Sequence, residues 1–368
     1  MMYFDYAATS PMRKEAIDVY IEAALHFPGN TSSPHDEGTK ANLLLQRCRE
    51  QIAKKAGVPA DGIYFTGSGT EGNILAILSM ARNRKGMHVI TSMAEHTSVH
   101  SAMTLLESEG FEVTKLPMNE NGVISIGEVL AAIRPDTVLI SIQHINPEIG
   151  TIQPVEKISS LAKKHGILFH TDCVQSFGKV DITRIEADAM TFSAHKIGGP
   201  KGCGAIYLSP HCLITPVFPG LTHEKGVRGG TVDTPAIAAF VEASQFAIDL
   251  KRLSYLRNLL KKELNGTLCK WIEADETEQF PGVIGMCIPG IEGQLVMLAL
   301  NAKDIRISTG SACDTSAAAG TKAAIAMGLS IDEARQFFRI SLGYGTTEEE
   351  VLELARSLAH VATEAAMI

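Results

Sequence analysis

Between residues 62 and 208 the chain repeats one pattern: a short apolar run of strand character, then a stretch with helical spacing. The runs are GIYFT (62–66), MHVIT (87–91), FEVTKL (111–116), TVLISI (137–142), GILFHT (166–171), ADAMTF (187–192) and CGAIYL (203–208). Each of the first five leads into residues spaced as in a helix, for example EGNILAILSMARN and PVEKISSLAKKHG. Strand then helix, repeated, is the signature of a mostly parallel sheet covered on both faces, an α/β fold. From Thr234 to about Leu268 the pattern turns helical for a long stretch. A second group follows, VIGMCI, QLVMLAL, IRIS and QFFRISLG, with a last helix from about Thr346. The expectation is a large domain over 1–250 and a smaller α/β domain over 251–368, joined by the long helix, with residues 1–30 able to pack on the smaller one. Ser10-Pro11 predicts the start of an N-terminal helix, Ser suiting the N-cap and Pro the first helical position.

At 368 residues the chain can bury a large core. A net charge of −8 leaves no basic footprint for nucleic acid. No run approaches the ~18 apolar residues of a membrane span, and MMYFDYAATSP does not read as a secretion signal, so a cytoplasmic protein is expected. The seven cysteines are scattered, with no CxxC pair, which argues for a reducing compartment and against a structural zinc site.

Gly67-Ser68-Gly69-Thr70-Glu71-Gly72 follows the run IYFT and opens a helix, and Glu95 ends the next strand-like segment. Alone, this GxGxxG reads as a dinucleotide site with Glu95 on a ribose, the mark of an oxidoreductase. The same geometry is a general anion cradle, because amides at a helix N-terminus hold any phosphate and Thr70 adds a hydroxyl. The motif therefore supports a phosphate here, not NAD in particular.

Asp172 and Gln175 follow the run GILFHT, and Lys196 comes twenty-four positions after Asp172, at the end of the next strand-like segment. An acid and a lysine at neighbouring strand ends are what a pyridoxal phosphate enzyme needs. The amine forms the Schiff base, and the carboxylate keeps the pyridine nitrogen protonated. A surface salt bridge is the plainer reading of such a pair. It explains neither Ser193 and His195, donors for a phosphate beside the lysine, nor Gln175, a donor for the ring oxygen. His96 lies at another strand end, where an imidazole could stack on a ring and carry protons, or simply cap a helix. Cys313, in RISTGSACDTSAAAGTK, differs from the cysteines in apolar segments because a thiol among small residues is accessible and reactive once ionised. Arg339, in FFRISLGYG, offers a guanidinium fork for an α-carboxylate.

These motifs, with GNTSSPHDEG, EIGTIQPV and VRGGT, resemble those of the cysteine desulfurases of bacterial iron–sulfur cluster assembly and nitrogen fixation, within the class V aminotransferase-like pyridoxal phosphate proteins. The likeness runs over nearly the whole chain. It implies the type I fold of pyridoxal phosphate transferases, with a seven-stranded sheet and a reactive-cysteine loop in the small domain. It also implies pyridoxal 5'-phosphate as cofactor and a cytoplasmic homodimer. By the same likeness Lys196 is the Schiff-base lysine, Asp172 the pyridinium partner, His96 the stacking residue and Gln175 the donor to the ring oxygen. Gly69, Thr70, Ser193 and His195 bind the phosphate, and Thr231 reaches it from the other subunit. Arg339 holds the substrate carboxylate. L-cysteine displaces Lys196, whose amine removes the α-proton. The Cys313 thiolate then takes the sulfur as a persulfide for an acceptor protein, an iron–sulfur scaffold or a thiolation protein, and alanine is left. Where the family has a second asparagine, in NNEIG, this chain has Asn146-Pro147, so Asn146 is expected to stand in for the missing amide toward cofactor or substrate. Selenocysteine lyase and aminotransferase activity are the alternatives within the class.

Overall fold

The structure, a computed structural model, describes residues 1–309 and 321–365. Its strands, in chain order, are β1 (Met2–Tyr3), β2 (Ile63–Thr66), β3 (His88–Ser92), β4 (Glu112–Leu116), β5 (Thr137–Ser141), β6 (Leu168–Asp172), β7 (Ala189–Ser193), β8 (Gly204–Leu208), β9 (Lys270–Ile272), β10 (Val283–Cys287), β11 (Ile305–Arg306) and β12 (Phe337–Ser341). Every apolar run of the repeating pattern forms one strand of a single seven-stranded sheet, ordered β2-β8-β7-β6-β5-β3-β4. The sheet is parallel except for β8, which runs antiparallel to β7 and β2. Only residues 194–203 separate β7 from β8, fewer than the dozen or so a parallel crossover needs, so the chain turns straight back.

Alternate residues of the inner strands face opposite layers. Val89, Leu139, Leu168, Ala189 and Ile206 pack under helices Gly69–Ala81 and Thr97–Ser108. Ile90, Ile140, Phe169, Met190 and Ala205 pack under helices Asp36–Ala56, Val155–Lys164 and Thr234–Gln245. Strand β4 closes one edge with Glu112 and Lys115 exposed, charges that discourage further pairing. A three-stranded antiparallel sheet, β12-β10-β9, forms a second core with helices Leu250–Glu263, Gly293–Ala302 and Glu348–Ala365. The N-terminus joins this core. β1 pairs with β11, Asp5 bridges to Ser341, and Phe4 is fully buried.

Two local expectations are corrected. Ser10-Pro11 does not open the first helix, which begins at Lys14 after an extended Arg13. The Ser10 amide donates to the His195 carbonyl and the Arg13 amide to that of Gly198, each at 2.8 Å, so residues 10–13 form a strap along the loop that carries Lys196. The long helix after Thr234 is two helices, Thr234–Gln245 and Leu250–Glu263, each with its own aspartate cap. Asp233 accepts from the Ala236 amide and Asp249 from the Arg252 amide, both at 3.0 Å.

Candidate active site

In an open α/β sheet ligands gather at the C-terminal strand ends, where loops converge and helix N-termini point. Asp172 is the last residue of β6 and Ser193 the last of β7. Lys196 ends the single 3-10 turn Ala194–Lys196 directly beyond. His96 caps helix Thr97–Ser108 after β3, and helix Gly69–Ala81 starts three residues after the end of β2. Gly69 has a spatial reason: a Cβ there would lie 2.8 Å from Val174 Cγ2 and 3.4 Å from Ser193 Cβ, so only glycine lets this helix start close on the ends of β6 and β7. At this helix start the Ser68 hydroxyl accepts from the Glu71 amide, while the Glu71 carboxylate accepts from the Gly67 amide.

The acid is held rigidly. Asp172 Oδ1 accepts from the Val174 amide at 2.9 Å and Oδ2 from Asn73 Nδ2 at 2.7 Å. Asn73 Nδ2 also donates to Ser98 Oγ at 2.9 Å, and Ser98 Oγ lies 2.7 Å from His96 Nδ1. A polar relay thus joins Asp172 to His96. Burial lowers the His96 pKa; Lys196 and Lys322 add to this and Asp172 opposes it, which puts the imidazole within the fields of both the acid and the lysine. Neither Asn73 nor Ser98 was among the residues singled out in the sequence; the one signal for Asn73 is its place a helical turn after Gly69.

The Lys196 amine donates to the carbonyls of Ala7 and Ala8, at 2.7 and 2.8 Å. Gln175 Nε2 donates to the same Ala7 oxygen at 2.8 Å. His195 Nδ1 lies 3.1 Å from Thr9 Oγ1, and burial together with Lys196, Lys179 and Lys201 pushes its pKa down to about 3, so the ring is neutral. Ser193 Oγ is buried with no partner among the described residues. Arg339, 3% exposed on β12, donates to Asp5 Oδ1 at 2.7 Å and to the Pro147 carbonyl at 2.9 Å. Asn146 is fully buried. Its Oδ1 accepts from the Glu148 and Ile149 amides at 2.9 and 3.0 Å, which commits the oxygen to the turn, and Nδ2 reaches the Ala94 carbonyl at 3.4 Å.

Thr70 and Thr231 are exposed, and Cys313 lies outside the described residues. Glu95 does not offer its carboxyl to a ribose. It is buried, accepts from Ser92 Oγ at 2.6 Å and the Gln143 amide at 3.0 Å, and is pushed up to about 8 by burial, which keeps it protonated at neutral pH. Among the described residues no group of three or more His, Cys, Asp or Glu could hold a metal ion, and no helix is long and apolar enough to cross a membrane.

The arrangement gathers a lysine amine, an anchored aspartate, a neutral histidine and a helix N-terminus at one end of the sheet, and the chain is similar to known enzymes. The model of the aminotransferase class-V family matches residues 2–354. "Putative cysteine desulfurase NifS" of Bacillus subtilis (strain 168) is 42% identical, covering 96% of this chain and 93% of the relative. "Cysteine desulfurase IscS" of Dictyoglomus turgidum is 36% identical, over 95% and 91%. A solved structure, "SspA in complex with cysteine", superposes with a TM-score of 0.83 at 34% identity, covering 93% of this chain and 99% of that one. The chain belongs to the class-V aminotransferase family, in its cysteine desulfurase group.

Proposed function

We propose that this protein is a pyridoxal 5'-phosphate-dependent cysteine desulfurase, which turns L-cysteine into L-alanine and passes the sulfur, as a persulfide on Cys313, to an acceptor protein. The observation that carries the reading is Lys196 just beyond the end of β7, next to β6, which ends in an aspartate anchored on both oxygens. The residues fit the cofactor: a buried serine hydroxyl without a partner among the described residues, a neutral histidine and a glycine-tight helix N-terminus suit its phosphate. When bound, pyridoxal phosphate supplies the electron sink for carbanion chemistry at the substrate α-carbon.

The chain's own residues do the rest. Gly69, Thr70, Ser193 and His195 hold the phosphate, and Thr231, exposed on the same chain, completes that site in the second subunit of a homodimer. Asp172 would pair with the ring nitrogen. Gln175 Nε2 keeps one hydrogen for the ring oxygen after serving Ala7. His96, with its proton on Nε2, would lie against the ring, and Lys196 would take the α-proton at Nζ. Arg339 receives the α-carboxylate, and Asn146 Nδ2 has one hydrogen left to offer toward it.

Cys313 is the sulfur acceptor because the six described cysteines are unsuited. Burial raises the pKa of each one, to about 12 for Cys48 and Cys173 and to about 11 for Cys212, so little thiolate forms at neutral pH. The chain re-enters the described fold at Thr321. There the Glu148 carboxylate accepts from the Thr321 hydroxyl and from the Ala323 amide. Thr321 and Ala323 are therefore tied to the turn whose Pro147 carbonyl holds Arg339. The acceptor of the Cys313 sulfur is an iron–sulfur scaffold or a thiolation protein of the cytoplasm.

The test is reduction of the purified yellow protein with borohydride. A stable adduct should form on Lys196, and Lys196→Ala should lose both adduct and turnover while melting as wild type does. Turnover of L-cysteine by that variant at a comparable rate would overturn the assignment.

A further inference from the structure

Lys179, in the SFGKV run after β6, has no part in the chemistry above, yet it sits in the site. It is 8% exposed, and its Nζ donates to Gln175 Oε1 at 2.8 Å. Among the described residues no carboxylate lies within ion-pair distance of it, and its Nζ lies 5.8 Å from the centroid of the Phe280 ring. Burial first, then the positive charges of Lys196 and Arg339, push its pKa down to about 7. A buried amine with no counter-charge costs stability, so packing does not explain its presence.

The hydrogen-bond geometry does. An ammonium has three donors and no acceptor, whereas a glutamine amide carries an oxygen at one end and two N–H groups at the other. While it is protonated, Lys179 therefore holds the Gln175 oxygen inward through the bond its Nζ donates. The NH2 end then faces the Ala7 carbonyl, the same oxygen that receives Lys196 Nζ. One Nε2 hydrogen goes to Ala7, and the second is left for a further acceptor. With the lysine replaced by an apolar side chain, the amide would keep only the Ala7 carbonyl to hold its orientation, and its oxygen would be left without a donor.

We propose that Lys179 is a positioning residue that locks the Gln175 amide with its N–H, not its oxygen, toward the ring oxygen of the cofactor; this rests on the reading of Lys196 as the cofactor-binding lysine. The experiment uses the full-length protein stripped of cofactor and titrated with pyridoxal phosphate, following the visible band, its pH midpoint and the melting temperature of the stripped protein. Lys179→Met should bind the cofactor about tenfold more weakly, the loss expected for one hydrogen bond to a charged partner. It should also shift the pH midpoint of the band, yet melt no lower than wild type. Lys179→Arg, again donor-only, should restore both affinity and midpoint, and Gln175→Ala should add nothing in the Lys179→Met background. If Lys179→Met fails to fold, Gln175→Glu decides instead. It gives Lys179 a counter-charge and removes the donor, so it should bind cofactor more weakly while melting higher. Wild-type affinity and midpoint in Lys179→Met or in Gln175→Glu, or a melting loss that accompanies the affinity loss in either, would overturn the proposal. A wild-type protein that forms no visible band would instead overturn the cofactor reading beneath it.

Discussion

His96 holds its proton on Nε2, and the neighbouring hydrogen bonds say why. The Ser98 amide donates to His96 Nδ1 at 3.2 Å, so that nitrogen is an acceptor. Ser98 Oγ receives a hydrogen from Asn73 and has its own to give to the same Nδ1. Of the two readings that the sequence left as alternatives, the helix cap is seen directly, and it leaves Nε2 free for the proton-carrying role proposed above. Asn73→Ala would leave Asp172 with one of its two anchors and would break the relay. Losing a hydrogen bond to a carboxylate costs about 1.5–3 kcal/mol, so kcat/KM for L-cysteine should fall roughly tenfold to a hundredfold in steady-state assays, with the fold kept. Lys179 gives a prediction of opposite sign for stability. Its folded pKa of about 7 lies below its ordinary value of 10.5. Below pH 7 both folded and unfolded chains hold the proton, and the burial cost is fully present. As pH rises from 7 toward 10.5 the folded state releases its proton first, and that cost is relieved. Between pH 7 and 9 urea unfolding of the cofactor-free protein should show wild type gaining about 2 kcal/mol relative to Lys179→Met.

At the scale of the element, the loop carrying Lys196 is held from outside by the strap of residues 10–13. Gly198 lies at the contact with a φ of +87°, and a Cβ there would come within 2.7 Å of Arg13 Cγ. Gly198→Ala combines left-handed strain of about 1–2 kcal/mol with that clash. It should lower the melting temperature by several degrees and reduce cofactor retained on gel filtration. The strap also marks how far the sequence could be read. The strands, the parallel sheet and the strand-end places of Asp172 and Lys196 were legible because apolar periodicity and strand ends are local signals. The role of Ser10 was not, because its amide is claimed by the His195 carbonyl, far away in the chain, and such a bond leaves no periodicity behind. Asn73, Ser98 and Lys179 escaped notice for the same reason. Each looks like an ordinary helix or loop residue until tertiary structure supplies its partner. The break between Gln245 and Leu250 was hidden by helical composition on both sides, although Asp249 was a cap in plain view.

Across the whole molecule the turn Asn146–Gly150 joins the seven-stranded sheet to the three-stranded one. Its Pro147 carbonyl holds Arg339 of β12, and Glu148 holds the chain at Thr321 and Ala323. Gly150 lies against Gln279, whose Nε2 donates to the Ile149 carbonyl at 2.9 Å. The Pro147 side chain makes none of these contacts, whereas Asn146 folds the turn through two amide bonds. Asn146→Ala should therefore lower turnover at least about tenfold, on the scale of losing its bonds within the turn, and Pro147→Asn should change it little. Comparing kcat and KM for both variants checks this. A Pro147→Asn variant that gains tenfold would show that the missing amide limits the rate. The homodimer reading predicts rescue on mixing: inactive Lys196→Ala and inactive Thr231→Ala subunits should regain part of the activity once exchanged. The most direct measurement follows the sulfur. After a single turnover with L-cysteine, mass spectrometry of the thiol-trapped protein should find one added sulfur on the peptide containing Cys313, with an equal amount of alanine released. Cys313→Ser should keep the yellow cofactor and carry no sulfur. Sulfur undiminished on another cysteine of that variant, or alanine formed by wild type with none on Cys313, would contradict the account.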